Sequence, residues 1–296
     1  MDSDEQQIET VEEEPHVEPH LTIVQAIGIA ILVVLLQFLL VQISVLTGVP
    51  FLSSNNWILL AIFQLVSGLV AAQAGCILSG IRIPDLFIRN RTQFLLLLPL
   101  TVASCGILIL ASELGNILNA IQSIPNDYLE GINDLFSQNF WGVLFVIAIL
   151  APIIEELVFR GVILEGLQIR YSRLIAVLVS SLLFAAVHLY PWQAIVNAFF
   201  LALFLSWVML KTRSLLLCIV AHSFYNGMDL VFSRVIQLPI PGFNNMSSDL
   251  IQYQPWWFDA MGIVLLLLGI GGLRALYEPP PPEFVEEITS VVSSEV

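Results

Sequence analysis

The sequence predicts an all-α polytopic membrane protein of about eight transmembrane helices, with its functional groups inside the helical bundle. Three observations carry this reading. The 296 residues are 57% hydrophobic and only 11% charged, with a mean hydropathy of +0.88, whereas soluble domains carry about a quarter charged residues. Apolar runs close to the ~20 residues needed to cross a ~30 Å hydrocarbon core recur along the chain. Basic residues are concentrated in alternate connections between those runs, as expected when Lys and Arg mark cytoplasmic loops.

Residues 1–20 (MDSDEQQIETVEEEPHVEPH) hold eight acids and no Lys or Arg. A signal peptide needs a basic start, so this stretch is expected to be a disordered acidic cytoplasmic tail. Residues 21–139 are expected to supply spans at 21–47, 56–79 and 93–113 and a loop. Residues 140–235 supply four more, at 140–164, 174–190, 193–210 and 214–235. The runs 174–190 and 193–210 are short and separated only by Tyr190-Pro191-Trp192, which predicts tilted or partly re-entrant segments. Residues 236–276 supply a loop and a last span at 257–276. Its Gly262, Gly269, Gly271 and Gly272 point to close helix contact. Residues 277–296, with Pro279 to Pro282 and several Glu, are expected to form a second disordered tail.

Arg82, Arg89, Arg91, Arg170, Arg173, Lys211, Arg213 and Arg274 all fall on one side of an eight-span chain. Both termini are therefore expected in the cytoplasm, and compact loops fit a bacterial inner membrane. Trp57, Trp141, Trp256 and Trp257 at span edges fit an interfacial belt. The net charge of −14 resides mostly in the tails, and a lipid bilayer is the expected surroundings, with no nucleic-acid partner. Cys76, Cys105 and Cys218 lack metal or redox spacing and are expected to be free thiols.

Ionisable groups within a span cost ~2.5–3.5 kcal/mol for Asp, Lys or Arg on insertion scales, so they are functional candidates by default. Here they cluster as Glu155, Glu156 and Arg160, then His188, then His222, Asn226 and Asp229. Glu156 and Arg160 are an i,i+4 pair with the acid first, the favourable order. Glu155 points about 100° away and is left as the free carboxylate, suited to take and return a proton. His222, Asn226 and Asp229 share one helix face. Counted from the basic loops at 1.5 Å per residue, Glu155, His188, His222 and Asn226 lie at ~14–22 Å, within about two turns of one depth.

EELVFR (155–160), FAAVH (184–188) and HSFYN (222–226) reproduce the order EExxxR, FxxxH, HxxxN on successive apolar segments. This resembles the CPBP family, which joins type II CAAX prenyl endopeptidases to bacterial Abi intramembrane proteases, over about residues 140–235. The resemblance implies an intramembrane endopeptidase acting on a membrane-associated protein or peptide. It implies Glu155 as base with His188 holding the water, His222 and Asn226 as oxyanion donors, and Glu156 with Arg160 as a supporting pair. Alternatively, Glu156 orients one of the histidines. The metal question stays open. Zinc held by His188, His222 and Glu155 or Glu156 would give a three-ligand site. The absence of HExxH favours a mechanism without a cofactor. The rival readings are a catalytically silent scaffold or bacteriocin-immunity-type protein, which would be expected to lack one of these residues, and a proton-coupled transporter, which would be expected to show internal repeats.

Overall fold

The computed structural model describes residues 21–47, 56–88, 94–243 and 252–277. The expected tails, apart from Tyr277, lie outside the described residues, as do Arg89 and Arg91. Every regular element among the described residues is helical. In chain order these are α1 (Ile23–Leu46), α2 (Asn56–Ser79), α3 (Ile83–Ile88), α4 (Leu97–Ile121) and α5 (Asn126–Gln138). They continue as α6 (Phe140–Arg170), α7 (Arg173–Ala186), α8 (Trp192–Thr212), α9 (Leu215–Ile236) and α10 (Trp256–Leu276).

Seven of these helices are long and apolar enough to cross a membrane. The eighth expected span, α7, has 14 residues, ~21 Å at 1.5 Å per residue, less than a hydrocarbon core. The reason for its early stop is local. His188 Nδ1 donates to the Phe184 carbonyl at 2.8 Å, occupying an acceptor that another helical turn would have used. Leu189 then takes a left-handed φ of 52°, and Pro191 cannot continue a helix. The following run is not short: α8 has 21 residues. The connection expected at 114–139 is instead mostly helix, because α4 runs on to Ile121 and α5 occupies 126–138. The polar turn of α4 is satisfied from outside: Asn116 donates to the Gly242 carbonyl at 2.8 Å, and the Gln254 backbone donates to Glu113 at 2.8 Å.

The helices alternate in direction. At the basic end the Leu21 N–H bonds the Gly166 carbonyl, Arg213 pairs with Glu165 at 3.0 Å, and the Lys211 ammonium sits 5.1 Å over the Tyr277 ring. At the other end Gln193 donates to the Gln122 carbonyl, Tyr128 meets Tyr190 edge-on, and Arg234 donates to Asn133 at 2.6 Å. α10 packs along α4 with little between the backbones. A Cβ on Gly106 would fall on the backbone of Gly262 and Leu266, and one on Gly269 on the backbone of Ala103. Gly262 and Gly272 also face α4, whereas Gly271 faces open space. Unlike a soluble bundle, the protein is apolar outside as well as within. Leu46, Phe38 and Leu267 are exposed, while Ser67, Ser180, Ser181 and Ser206 are buried, as a hydrocarbon solvent requires.

Candidate active site

The site is organised by an irregularity in α6. Pro152 lacks an N–H and crowds the preceding turn, and residues Val146–Leu150 wind as π-helix before the α-helical turn Ala151–Glu156. The Ala151 N–H reaches back to the Val146 carbonyl. Continued at that spacing, the Ile147 carbonyl would meet residue 152, which has no proton to give. Asn226 Nδ2 supplies it, at 3.0 Å. A second π segment, Leu157–Leu164, follows Glu156. Such segments are rare and recur at functional sites.

Glu156 and Arg160 meet at 2.8 Å, with both side chains wholly buried. The same Glu156 oxygen, Oε1, accepts from His222 Nδ1 at 2.8 Å. A carboxylate oxygen only accepts, so Nδ1 carries the hydrogen and Nε2 is the outward nitrogen of the ring. Arg160 also donates to the Ala202 carbonyl of α8 at 3.2 Å and stacks 4.4 Å over the Phe184 ring. Phe184 is a hub: its ring lies 5.2 Å from Phe159, 4.8 Å from His188 and 5.7 Å from His222. The FxxxH motif thus contributes its aromatic residue as well as its histidine.

Glu155 is the carboxylate that faces open space, its side chain 20% exposed against 0% for Glu156. Its Oε2 lies 3.9 Å from His222 Nε2, too long for a hydrogen bond and suited to a bridging water. Its Oε1 accepts from Gln64 Nε2 of α2 at 3.0 Å, and Gln64 Oε1 accepts from Gln37 of α1 at 3.2 Å. Helices α1, α2, α6 and α9 are thereby joined by one polar chain.

The sequence-predicted residues are brought together unequally. Glu155, Glu156, Arg160 and His222 form one contact network, and Asn226 bonds the same helix, α6, one turn along α9. His188 reaches the network only through Phe184, with no carboxylate within 4.0 Å among the described residues. Gln64 and Gln37 were missed. Their signal was an amide set among apolar neighbours, FQLV and LQFL, and neutral amides in membrane helices find partners on neighbouring helices. Cys218 is a packing residue whose Sγ approaches the Leu205 carbonyl. The zinc alternative meets a mismatch: among the described residues no three His, Cys, Asp or Glu side chains are placed to hold a metal ion. Each histidine has spent Nδ1 on another partner, and a single carboxylate oxygen approaches a single Nε2. As arranged, these residues do not fit a three-ligand zinc site.

Residues 137–228 match the family model described as type II CAAX prenyl endopeptidase Rce1-like. The match takes in every residue of the network except Gln37 and Gln64. No curated protein and no solved structure matches the chain.

Proposed function

We propose that this chain, which carries a type II CAAX prenyl endopeptidase Rce1-like domain at residues 137–228, is an intramembrane endopeptidase that hydrolyses a membrane-associated protein or peptide. The observation that carries the reading is the pair of outward atoms 3.9 Å apart, Glu155 Oε2 and His222 Nε2. A water between two acceptors gives each a hydrogen and turns its lone pairs away from both, toward a peptide carbonyl. Glu155 takes the proton as the water attacks and returns it to the departing nitrogen, the double duty of a general acid–base group. Gln64 holds the other Glu155 oxygen, so the carboxylate cannot swing away.

His222 is kept in one tautomer by Glu156, which is itself held by Arg160. This is the logic by which a buried carboxylate orients a catalytic imidazole. The tetrahedral oxygen is met by the Asn226 amide N–H not spent on Ile147, a donor fixed before the charge develops. His188, with Nδ1 spent on Phe184, offers Nε2 to the substrate's N–H. This differs from the roles the family resemblance implied: His222 shares the water with Glu155, and His188 positions substrate.

The test compares wild type with Glu155→Gln on membrane-anchored and CAAX-ended reporter peptides. Hydrolysis is expected to fall by about 10²–10⁴ in a protein that unfolds at the wild-type temperature. Unchanged cleavage would remove Glu155 from the mechanism, and no cleavage by either protein would favour the silent-scaffold reading.

A further inference from the structure

A second polar cluster lies at the end of the bundle away from the basic loops, and nothing in the peptidase reading uses it. Gly262 of α10 packs against Ile109 of α4. The two helices run in opposite directions, so one turn further toward that end Asp259 faces Glu113. The charge of Glu113 acts on Asp259. Gln254, only 6% exposed, lies along the same face of α4: its N–H donates to Glu113 Oε2 at 2.8 Å and its Nε2 to the Ile109 carbonyl at 3.1 Å.

These bonds leave acceptors over. Gln254 Oε1 and Asp259 Oδ1 are both buried with no hydrogen-bond partner. The amide cannot be reversed to cure this, since its oxygen would then face the Ile109 carbonyl. The two donors to Glu113, Asn116 Nδ2 and the Gln254 N–H, both go to Oε2. Among the described residues no Lys, Arg or His pairs with either carboxylate. Asp259 stands in the first turn of α10, where the helix dipole favours one negative charge. That accounts for neither the second carboxylate nor the unpaired amide oxygen. Buried acceptors without donors are destabilising, and like charges facing each other add to that.

We propose that Glu113, Asp259 and the Gln254 side-chain oxygen bind a divalent cation of the calcium type, tying α4, α10 and the strand of chain before α10 together. The ligands are all hard oxygens, two of them carboxylates, which suits calcium and not zinc. Asp259 is half-exposed, so water completes the six to eight oxygens that calcium takes. Magnesium demands a stricter octahedron and binds less well here.

The experiment uses the full chain in detergent, stripped with chelator, and follows thermal unfolding through tryptophan fluorescence while Ca²⁺, Mg²⁺ or NaCl of equal ionic strength is added. Ca²⁺ is expected to raise the midpoint saturably, by about 5 °C at a hundred times its dissociation constant, with one radiolabelled calcium retained per chain. Asp259→Asn and Gln254→Leu are expected to lose both responses. In chelator Asp259→Asn should unfold no lower than wild type, because one of two facing charges is gone. A wild type indifferent to Ca²⁺, or a shift that both variants keep, overturns the site. So does stabilisation by lowered pH alone, which would mean that the carboxylates share a proton. An equal response to Mg²⁺ overturns the calcium-type assignment.

Discussion

Glu156 Oε1 receives both the Arg160 guanidinium and the His222 ring at 2.8 Å, and with all three side chains buried, each depends on the other two. Removing one member of a buried pair strands a charge, at about 3–5 kcal/mol. Arg160→Met is therefore expected to lower the yield of folded protein, measured by size-exclusion in detergent, as well as activity. Gln64→Leu should leave the fold intact and act on chemistry alone: it frees one Glu155 oxygen and is expected to lower kcat about tenfold with KM nearly unchanged, as for a lost orienting contact. Steady-state kinetics on a cleaved reporter decide this. The Glu156–Arg160 pair was legible in sequence because it lies within one helix, where spacing dictates distance. Gln64 was not, because it meets Glu155 from 91 residues away and no intrahelical rule reaches that far. Glu156 illustrates the boundary: its tie to Arg160 could be read, and its tie to His222 could only be offered as an alternative.

At the scale of the element, α6 shows how one proline shapes a site. Pro152 leaves the Ile147 carbonyl without a helical donor, and Asn226 supplies one from α9. Asn226→Leu should therefore destabilise the protein by about 1–3 kcal/mol, apart from any loss of oxyanion stabilisation. Pro152→Ala restores the missing N–H, so the two substitutions are not additive. The double variant is expected to recover most of the thermal midpoint lost by Asn226→Leu, while its activity stays low. Additive midpoints would show that Asn226 does not serve that carbonyl. None of this could be read from HSFYN alone, since the motif places Asn226 on a face without revealing which carbonyl of another helix is short of a donor. The end of α7 was misjudged for a related reason. Hydropathy continues through Val187, His188 and Leu189, but the helix stops where the His188 side chain takes the Phe184 carbonyl.

For the molecule as a whole, the order and polarity of the helices were legible because a bilayer imposes a single direction and a fixed length on each apolar run. What escaped were segments not bound by that rule: α5, which packs Phe136 against Phe140 at the mouth of α6, and the polar last turns of α4. The basic end is proposed to face the cytoplasm. In a background lacking Cys76, Cys105 and Cys218, Ser172→Cys and Ser123→Cys should label from opposite sides with an impermeant maleimide, only Ser123→Cys reacting in intact cells. Labelling of both from outside would reverse or break the topology.

The shortness of α7 has a consequence for the lipid around it. A helix of 14 residues beside neighbours of 21 and 31 presents a hydrophobic mismatch of ~10 Å on one flank. A leaflet that thinned to meet it would draw headgroups and water toward His188. Hydrolysis needs water, and a bilayer core withholds it. In vesicles of graded acyl length the rate should accordingly fall as the chains lengthen, the membrane itself serving as the valve on the second substrate.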